Sequence, residues 1–309
     1  MHNACNMMRI PPYLKPGDTI AIAAPARKIA REEVEPAAAM LRGYGFNVVY
    51  NEALFGAENQ FSGSDELRAA DLQHWLDAPD VQCILSARGG YGTLRIVDRL
   101  NFAAFAQHPK WIAGYSDVTV LHSHLHTLGW ATVHGTMPIN FGRDAESVQT
   151  LVDALCGKPL QYEAANHTAT PNRAGRAEGV LTGGNLSLLY ALNGSATAVD
   201  TKGKILFIED LDEYLYHIDR MLLNLKRAGH LSQLAGLVVG GMSDMKDNTV
   251  PFGKTAEEII LDAVREYDYP VAFGFPAGHE PRNLALRLGM RARLTVDAGG
   301  CTLWQDALV

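Results

Sequence analysis

The sequence lacks the features that membrane-spanning and nucleic-acid-binding proteins need. No stretch of its 309 residues is apolar and long enough to cross a bilayer, and no signal-peptide-like segment stands near the start. The formal net charge of -7 argues against a nucleic-acid partner, which calls for a basic face. We therefore expect a cytoplasmic protein, although a trimmed export signal would leave no trace. A local basic pocket for an anionic ligand is compatible with this charge.

Cysteine is scarce and scattered. Its four positions form no Cys-x-x-Cys pair and no metal-site spacing. Cys83 lies inside the apolar run VQCILSA, so we interpret it as a buried, reduced thiol, in keeping with a reducing compartment. The sequence therefore predicts neither a metal nor another cofactor. The four are Cys5, Cys83, Cys156 and Cys301.

Short apolar runs alternate with helical patterns in the first half of the chain. The runs TIAIAAP, NVVY, VQCILSA, KWIAG and ATVHG read as buried strands, and amphipathic segments stand between them. Strands that are apolar throughout, alternating with helices, indicate a parallel sheet covered on both faces. We predict a doubly wound α/β domain, flavodoxin- or Rossmann-like, over residues 1–155. Ligands of such sheets bind beyond the carboxyl ends of the strands.

Periodicity is lost over residues 156–178, where Pro, Asn, Thr and Gly accumulate, so we interpret this segment as a linker. Residues 179–309 then form a second domain of mixed character. KILFIED, LAGLVVGGM and PVAFGF are predicted strands, and EYLYHIDRMLLNLKRAG and TAEEIILDAVREY are predicted helices. RARLTVD and CTLWQ predict a closing hairpin turned at AGG.

Two loops after predicted strands of the first domain could carry chemistry. In SARGGYG, residues 86–92, the glycines would let backbone N–H groups approach a ligand, although the pattern is neither of the common phosphate-binding motifs. In AGYSDVT, Ser116 stands on a strand-to-helix turn, where a nucleophilic serine is exposed in other hydrolases. Val118 occupies the place of the second glycine of Gly-x-Ser-x-Gly. These residues alone favour a helix cap for Ser116.

The second domain supplies the other residue types of a serine hydrolase. Glu209 ends a predicted strand and His279 follows another, so serine, glutamate and histidine all occur at strand ends. Sequence distance does not show that they meet. We interpret His122, His124 and His126 as ordinary helical histidines rather than metal ligands. Asp210, Asp212 and Glu213 are interpreted as the acidic first turn of the next helix.

Taken together, these loops resemble the LD-carboxypeptidase family of serine peptidases. The resembling pieces extend over nearly the whole chain, and their order and spacing carry the resemblance. They are LKPGDTIAIAAPA, DELRAADL, ARGGYG, GYSDVT, HGTMP, LTGGNLSLL, LFIEDLDEYLYHIDR, GFPAGH and the following N…LG. The resemblance implies the doubly wound N-terminal domain and a smaller C-terminal domain of the swivelling β/β/α kind.

The resemblance also implies an activity: removal of the terminal D-alanine from the peptidoglycan tetrapeptide L-Ala-D-Glu-meso-diaminopimelate-D-Ala in murein recycling. It implies a site in the cleft between the domains and a homodimer. Arg88 is a candidate for the anionic substrate, with a structural ion pair as the alternative, and Asn185 is a second candidate. The implied triad is Ser116, His279 as base and acid, and Glu209; the implied oxyanion donors are the N–H of Asp117 with that of Gly89 or Gly90.

Two other functions are compatible with the same fold. A related class cleaves peptidyl-nucleotide antibiotics and carries a tryptophan loop near the domain connection; here that region holds Tyr162 and no tryptophan. A non-catalytic muropeptide-binding protein is the other alternative. The chain also departs from the family pattern at Ala26, where serine is frequent, and at Arg287, where proline is usual. Both departures concern local loop shape rather than the three catalytic positions.

Overall fold

The computed structural model describes residues 8–306, so Cys5 lies outside the described residues. The chain divides into two compact units. Of the described residues, the first unit comprises Arg9–Lys158 and the short return Leu284–Leu286, and the second comprises Met8, Pro159–Asn283 and residues 287–306. Among the described residues, no helix is both long and apolar enough to cross a membrane.

The first unit is built on parallel strands, as predicted. Their side chains are almost entirely buried, which explains why the runs are apolar throughout instead of alternating. Ser64 caps the second helix by accepting the N–H of Leu67. The elements are β1 (Thr19–Ala23), α1 (Arg31–Gly43), β2 (Asn47–Val49), α2 (Asp65–Asp77), β3 (Cys83–Ser86), α3 (Ala103–Gln107), β4 (Trp111–Gly114), α4 (Thr119–Thr127), β5 (Thr132–His134) and α5 (Ala145–Leu155).

The strand order confirms the doubly wound topology. The order β5-β4-β3-β1-β2 reverses direction at β1, which pairs in parallel with both β2 and β3. Strands β3, β4 and β5 continue the parallel pairing. The loops that leave the carboxyl ends of β3 and β4 are therefore neighbours at the edge of the sheet where ligands of this topology bind. These are the loops that carry SARGGYG and Ser116.

The second unit contains a seven-stranded mixed sheet of order β10-β9-β8-β7-β12-β13-β6. Strands β7 to β10 are parallel, whereas β12, β13 and β6 add antiparallel pairs, including the predicted hairpin β12–β13. Three helices complete the described part of the unit. The elements are β6 (Leu160–Ala165), β7 (Gly175–Asn185), α6 (Leu186–Leu192), β8 (Ile205–Leu211), α7 (Leu215–Arg227), β9 (Gly236–Ser243), α8 (Ala256–Ala263), β10 (Val271–Ala272), β12 (Arg291–Val296) and β13 (Gly300–Gln305). The strand β11 (Leu286–Leu288) belongs instead to the sheet of the first unit.

The predicted linker over residues 156–178 is wrong. It contains the whole of β6 and the first residues of β7, both of which belong to the sheet of the second unit. Leu160–Ala165 alternates strictly between buried and exposed side chains, a period-two pattern that the surrounding Pro, Asn and Thr residues hide. The sequence also gave no sign that β11 returns to the first unit, where it joins the sheet beside β5.

Candidate active site

Ser116 adopts a backbone conformation that is rare for any residue but glycine. It follows β4, opens a single 3₁₀ turn over Ser116–Val118, and has φ of 64°. A left-handed residue with a side chain is strained unless its surroundings hold it, and such strain concentrates at functional sites. A serine in this conformation on a strand-to-helix turn corresponds to the nucleophile elbow of other hydrolases. The geometry therefore distinguishes Ser116 from an ordinary helix cap, whose backbone is extended.

Two glycines are required at this turn. Gly114 has φ of 146°, and a Cβ there would lie 2.9 Å from Cγ2 of Val118. A Cβ on Gly89 would lie 2.8 Å from Cβ and 2.9 Å from Oγ of Ser116, and 3.4 Å from the backbone nitrogen of Asp117. The backbone of the SARGGYG loop thus packs directly on Ser116. This contact brings the loop beside the N–H of Asp117, which is the arrangement that an oxyanion site needs.

A buried polar network joins the glycine loop to the serine turn. The carboxylate of Asp117, which is fully buried, accepts the N–H of Thr93 through Oδ2 at 2.8 Å. Nη1 of Arg68, itself 2% exposed, donates to the carbonyl oxygen of Gly92 at 3.0 Å. Burial raises the pKa of Asp117, against the opposing effect of the hydrogen bond from Thr93. Neither Arg68 nor the Asp117 side chain was identified in the sequence, because nothing local marks an arginine on α2 as a partner of this loop.

Arg88 lies in the same loop and is half-buried. Its Nη1 donates to the carbonyl oxygen of Lys28 at 2.9 Å, so this bond ties the loop after β3 to the segment after β1. Gly90, next but one, has φ of 110°, and a Cβ there would collide with the side chain of Arg27. Basic side chains and glycine backbone therefore share this sheet edge. The assignment of Arg88 to substrate binding stays a prediction.

Glu209 and His279 form a close pair in the second unit. Oε2 of Glu209, fully buried on β8, lies 2.6 Å from Nδ1 of His279 and also accepts the backbone N–H of His279 at 3.2 Å. A carboxylate on Nδ1 fixes that nitrogen as the protonated one and leaves Nε2 as the ring nitrogen that can accept a proton. Burial lowers the pKa of His279, but the charge and hydrogen bond of Glu209, together with the charges of Asp210 and Glu280, outweigh burial, so that the pKa is raised. Gly278, with φ of 102°, allows the backbone to approach Glu209 closely. A Cβ at this position would lie 2.6 Å from Oε2 of Glu209.

The interpretation of Asp210, Asp212 and Glu213 as the acidic first turn of a helix is wrong. Asp210 is buried within β8, and α7 begins only at Leu215 with no acidic residue in its first turn. Its carboxylate accepts Nδ2 of Asn185 and the N–H of Ser187, both at 2.9 Å. Burial and the charge of Glu209 raise the pKa of Asp210 to about 7. Asp212 and Glu213 precede the helix and pair instead with Lys246 and His217.

The side chain of Asn185 makes structural hydrogen bonds within the second unit. The residue is 2% exposed, and besides donating to Asp210 its Oδ1 accepts the hydroxyl of Ser187 and the N–H of Leu188, which caps α6. The side chain therefore links the end of β7 to β8. Its assignment to substrate binding stays a prediction, and the structure accounts for an asparagine here on structural grounds.

The three neighbouring histidines have separate surroundings. His122 is fully buried with Nε2 donating to the carbonyl oxygen of Gly114 at 3.0 Å, and burial lowers its pKa to about 3. His124 packs on Phe102, and His126 contacts the hydroxyl of Thr132. Within the described range, no group of three or more His, Cys, Asp or Glu side chains is placed to hold a metal ion. His122 thus supports the strand end from which the serine turn departs.

The two departures from the family pattern are both buried. Ala26 is fully buried, and its Cα would lie 3.0 Å from a Cβ placed on Gly92. Arg287 is also fully buried, and its backbone N–H donates to Oε1 of Gln305 at 2.9 Å while its carbonyl oxygen accepts Nε2 of the same side chain. A proline would have no N–H for this bond.

Comparison with known proteins identifies the class to which this fold and these loops belong. Residues 20–135 match the LD-carboxypeptidase N-terminal domain, and residues 178–294 match the LD-carboxypeptidase C-terminal domain. The chain belongs to the LD-carboxypeptidase family.

Individual relatives resemble the chain over most of its length. A probable murein peptide carboxypeptidase of Bacillus subtilis is 35% identical over 92% of this chain and 91% of its own length. The murein tetrapeptide carboxypeptidase of Pseudomonas aeruginosa is 27% identical over 89% of this chain and 92% of its own length. Among solved structures, the muramoyltetrapeptide carboxypeptidase of Oxalobacter formigenes has a TM-score of 0.84 at 29% identity, covering 93% of this chain and 98% of its own.

A second kind of relative shares the fold. The microcin self-immunity protein MccF, solved in complex with aspartyl sulfamoyl adenosine, has a TM-score of 0.85 at 22% identity and covers 98% of this chain and 100% of its own. This likeness concerns the architecture alone.

Proposed function

We propose that this protein is a serine L,D-carboxypeptidase that removes the terminal D-alanine from L-Ala-D-Glu-meso-diaminopimelate-D-Ala in murein recycling. The observation that carries the proposal is the Glu209 carboxylate on Nδ1 of His279 at 2.6 Å, because it leaves Nε2 ready to take a proton. The left-handed Ser116, backed by Gly89, supplies the nucleophile. The names of the relatives from Bacillus subtilis and Pseudomonas aeruginosa support a murein peptide as substrate.

The proposed reaction proceeds by acylation and deacylation. Oγ of Ser116 attacks the carbonyl carbon that precedes D-alanine, and its proton passes to Nε2 of His279. The N–H of Asp117 and one from Gly89 or Gly90 stabilise the oxyanion. As the C–N bond breaks, His279 donates the proton to the amino group of the departing D-alanine. Water then attacks the acyl-serine with His279 again as base, which releases the tripeptide and restores Ser116.

The test is a D-alanine release assay on the purified protein. We expect release from the tetrapeptide without added metal and in the presence of EDTA. The Ser116→Ala variant should lose release by a factor of roughly 10⁴ or more while its melting temperature is maintained. Ser232→Ala, which changes an exposed hydroxyl bonded to the carbonyl oxygen of Gly229, is the matched control and should retain full turnover. Normal turnover by Ser116→Ala would rule out this serine as nucleophile.

The two alternative functions have distinct outcomes in the same experiment. A muropeptide-binding protein would bind the tetrapeptide tightly and release nothing. A peptidyl-nucleotide hydrolase would cleave an aminoacyl sulfamoyl nucleoside in preference to the tetrapeptide. Tyr162 does not favour the latter, because the residue is 7% exposed and its ring packs edge-on against Phe275 within the second unit.

The assembly and location of the protein belong to the same proposal. We expect a homodimer in the cytoplasm, as the family resemblance and the sequence suggested. Sedimentation equilibrium across a range of concentrations tests the dimer, and fractionation of the source cells tests the location.

A further inference from the structure

The side chain of Arg27 lies across the glycine loop that packs on Ser116. A Cβ placed on Gly90 would lie 2.5 Å from Cγ and 3.4 Å from Cβ of Arg27. Because Gly90 has no side chain and a φ of 110°, the methylenes of Arg27 rest directly on its backbone. Gly89, the preceding residue, packs against Oγ of Ser116. The stem of Arg27 and the proposed nucleophile therefore rest on neighbouring residues of one loop.

The backbone around Arg27 is fixed against its surroundings. Arg27 forms an antiparallel bridge with Phe61, and the N–H of Lys28 donates to the carbonyl oxygen of Gln60 at 3.0 Å. The carbonyl oxygen of Lys28 in turn accepts Nη1 of Arg88 at 2.9 Å. The segment after β1 is thus tied both to the loop before α2 and to the glycine loop. The side chain of Arg27 starts from a defined position at this edge of the sheet.

Arg27 is a cation without an ionic partner. The residue is exposed, and in the part of the chain that the structure describes its guanidinium has neither an ion pair nor a hydrogen bond. Arg31, Arg95 and Arg99 of the same unit each pair with a carboxylate. The guanidinium of Arg88 already donates to a backbone carbonyl oxygen. The planar fork of Arg27 is therefore available for bidentate contact with a carboxylate of a ligand.

We propose that Arg27 binds the terminal carboxylate of the substrate and thereby restricts cleavage to the last residue of the peptide. This inference rests on the proposed function. The terminal carboxylate is attached to the same carbon as the scissile nitrogen, so the group that binds it must stand beside the nucleophile. Arg27 meets this requirement, because its stem lies on Gly90 while Gly89 lies on Ser116. A peptide whose terminal carboxylate is blocked loses this contact.

Two substrates test the proposal: the tetrapeptide with its free terminal carboxylate, and the same tetrapeptide with a terminal amide. Both contain the same scissile bond, and they differ only in the charge that Arg27 binds. Charge-assisted hydrogen bonds have a strength that corresponds to a preference of roughly 10- to 100-fold. We expect the wild-type protein to favour the free carboxylate by that factor in kcat/KM, measured as release of D-alanine and of D-alaninamide.

Arg27→Gln should remove this preference, with kcat/KM on the free carboxylate falling to nearly the value on the amide. The loss should appear mainly in KM, because the carboxylate is bound alike in the ground state and in the transition state. Arg27→Lys retains the charge without the planar fork and should restore part of the preference. An arginine with a structural role alone would change both substrates equally and leave their ratio as it is.

Lys28→Gln is the matched control, because it removes the same charge from the next residue. Its side chain is exposed, and an extended backbone directs it to the side opposite that of Arg27, so the preference should persist. An equal loss of preference in Lys28→Gln would mean that general charge attraction, and not a contact with Arg27, sets the ratio. Loss of the preference in Arg88→Gln, with Arg27→Gln unaffected, would assign the carboxylate to Arg88. Melting temperatures identify any variant that fails to fold.

The outcomes separate this inference from the proposed function. Equal use of the two substrates by the wild-type protein, or an unchanged preference in a folded Arg27→Gln variant, overturns the assignment of Arg27 and leaves the peptidase activity standing. Absence of release from both substrates overturns the proposed function, and the assignment of Arg27 with it.

Discussion

The candidate residues fall into two halves, one in each unit, and each half is held in place by different means. In the first unit the geometry of the candidate residue is a property of the backbone: Ser116 is left-handed, and Gly89 packs against its side chain. In the second unit it is a property of two side chains, since a single carboxylate oxygen of Glu209 fixes the ring of His279. A backbone site is sensitive to added volume, whereas a side-chain pair is sensitive to lost charge. Substitutions that change one quantity at a time can therefore distinguish the two halves.

Among the substitutions that compare the two halves, the largest effect is expected from removing the charge of the side-chain pair. Glu209→Gln keeps the shape of the residue but loses the carboxylate that fixes the tautomer of His279, so kcat should fall by roughly 10³- to 10⁴-fold. Glu266→Gln, an exposed glutamate of the same unit, is the control. If Glu209→Gln turns over within a few-fold of the wild-type rate, the pair is structural.

The same variant changes the pH dependence in a defined direction. Glu209 raises the pKa of His279, and the base must be neutral to act, so activity is lost as pH falls through that raised pKa. The acid limb of kcat/KM in the wild-type protein should therefore lie above pH 6.5, the ordinary value for histidine. In Glu209→Gln the residual activity should show this limb at lower pH. If the acid limb lies at the same pH in both proteins, it reports the titration of a group other than His279.

A smaller loss is expected from adding volume at the backbone half. Gly89→Ala places a methyl group within 2.9 Å of Oγ of Ser116, so the loop or the serine must move. Displacing an oxyanion donor costs roughly 10²- to 10³-fold in kcat. Gly142→Ala is the control, since a Cβ there meets nothing within 4 Å. Full activity of Gly89→Ala would show that this loop takes no part in the reaction.

The comparison also shows what the sequence could reveal about each half. The apolar runs predicted the buried strands of the first unit, because complete burial leaves an unbroken pattern. The left-handed backbone of Ser116 was not predictable, since it depends on packing against Gly89 from another loop. Glu209 and His279 were identifiable as residue types at strand ends, but they are 70 positions apart and only the family resemblance joined them.

The predictions for Asp210 and for the segment that contains β6 were wrong for a related reason. Asp210 stands in an acidic run that is typical of a helix start, yet β8 continues through it and buries it. The strand β6 lies in a segment whose composition is that of a loop, and its pairing partner β13 is more than a hundred residues further along the chain. In both cases a tertiary contact decided what local composition did not.

The smallest expected effect concerns the network behind the backbone half, Arg68, Thr93 and Asp117. Asp117→Asn retains an oxygen for the N–H of Thr93 and loses the buried charge, so the loop is held less firmly while its donors stay in place. We expect kcat to fall about 10-fold with KM nearly unchanged, because a shifted oxyanion donor affects the transition state rather than substrate binding.

Arg68→Met, which removes the bond to Gly92, should have the same signature together with a lower melting temperature. Arg99→Met, at an exposed ion pair with Glu66, is the control for loss of an arginine in this unit. A rise in KM with kcat preserved would instead assign the network to substrate binding, and a lower melting temperature with both kinetic constants preserved would make it purely structural.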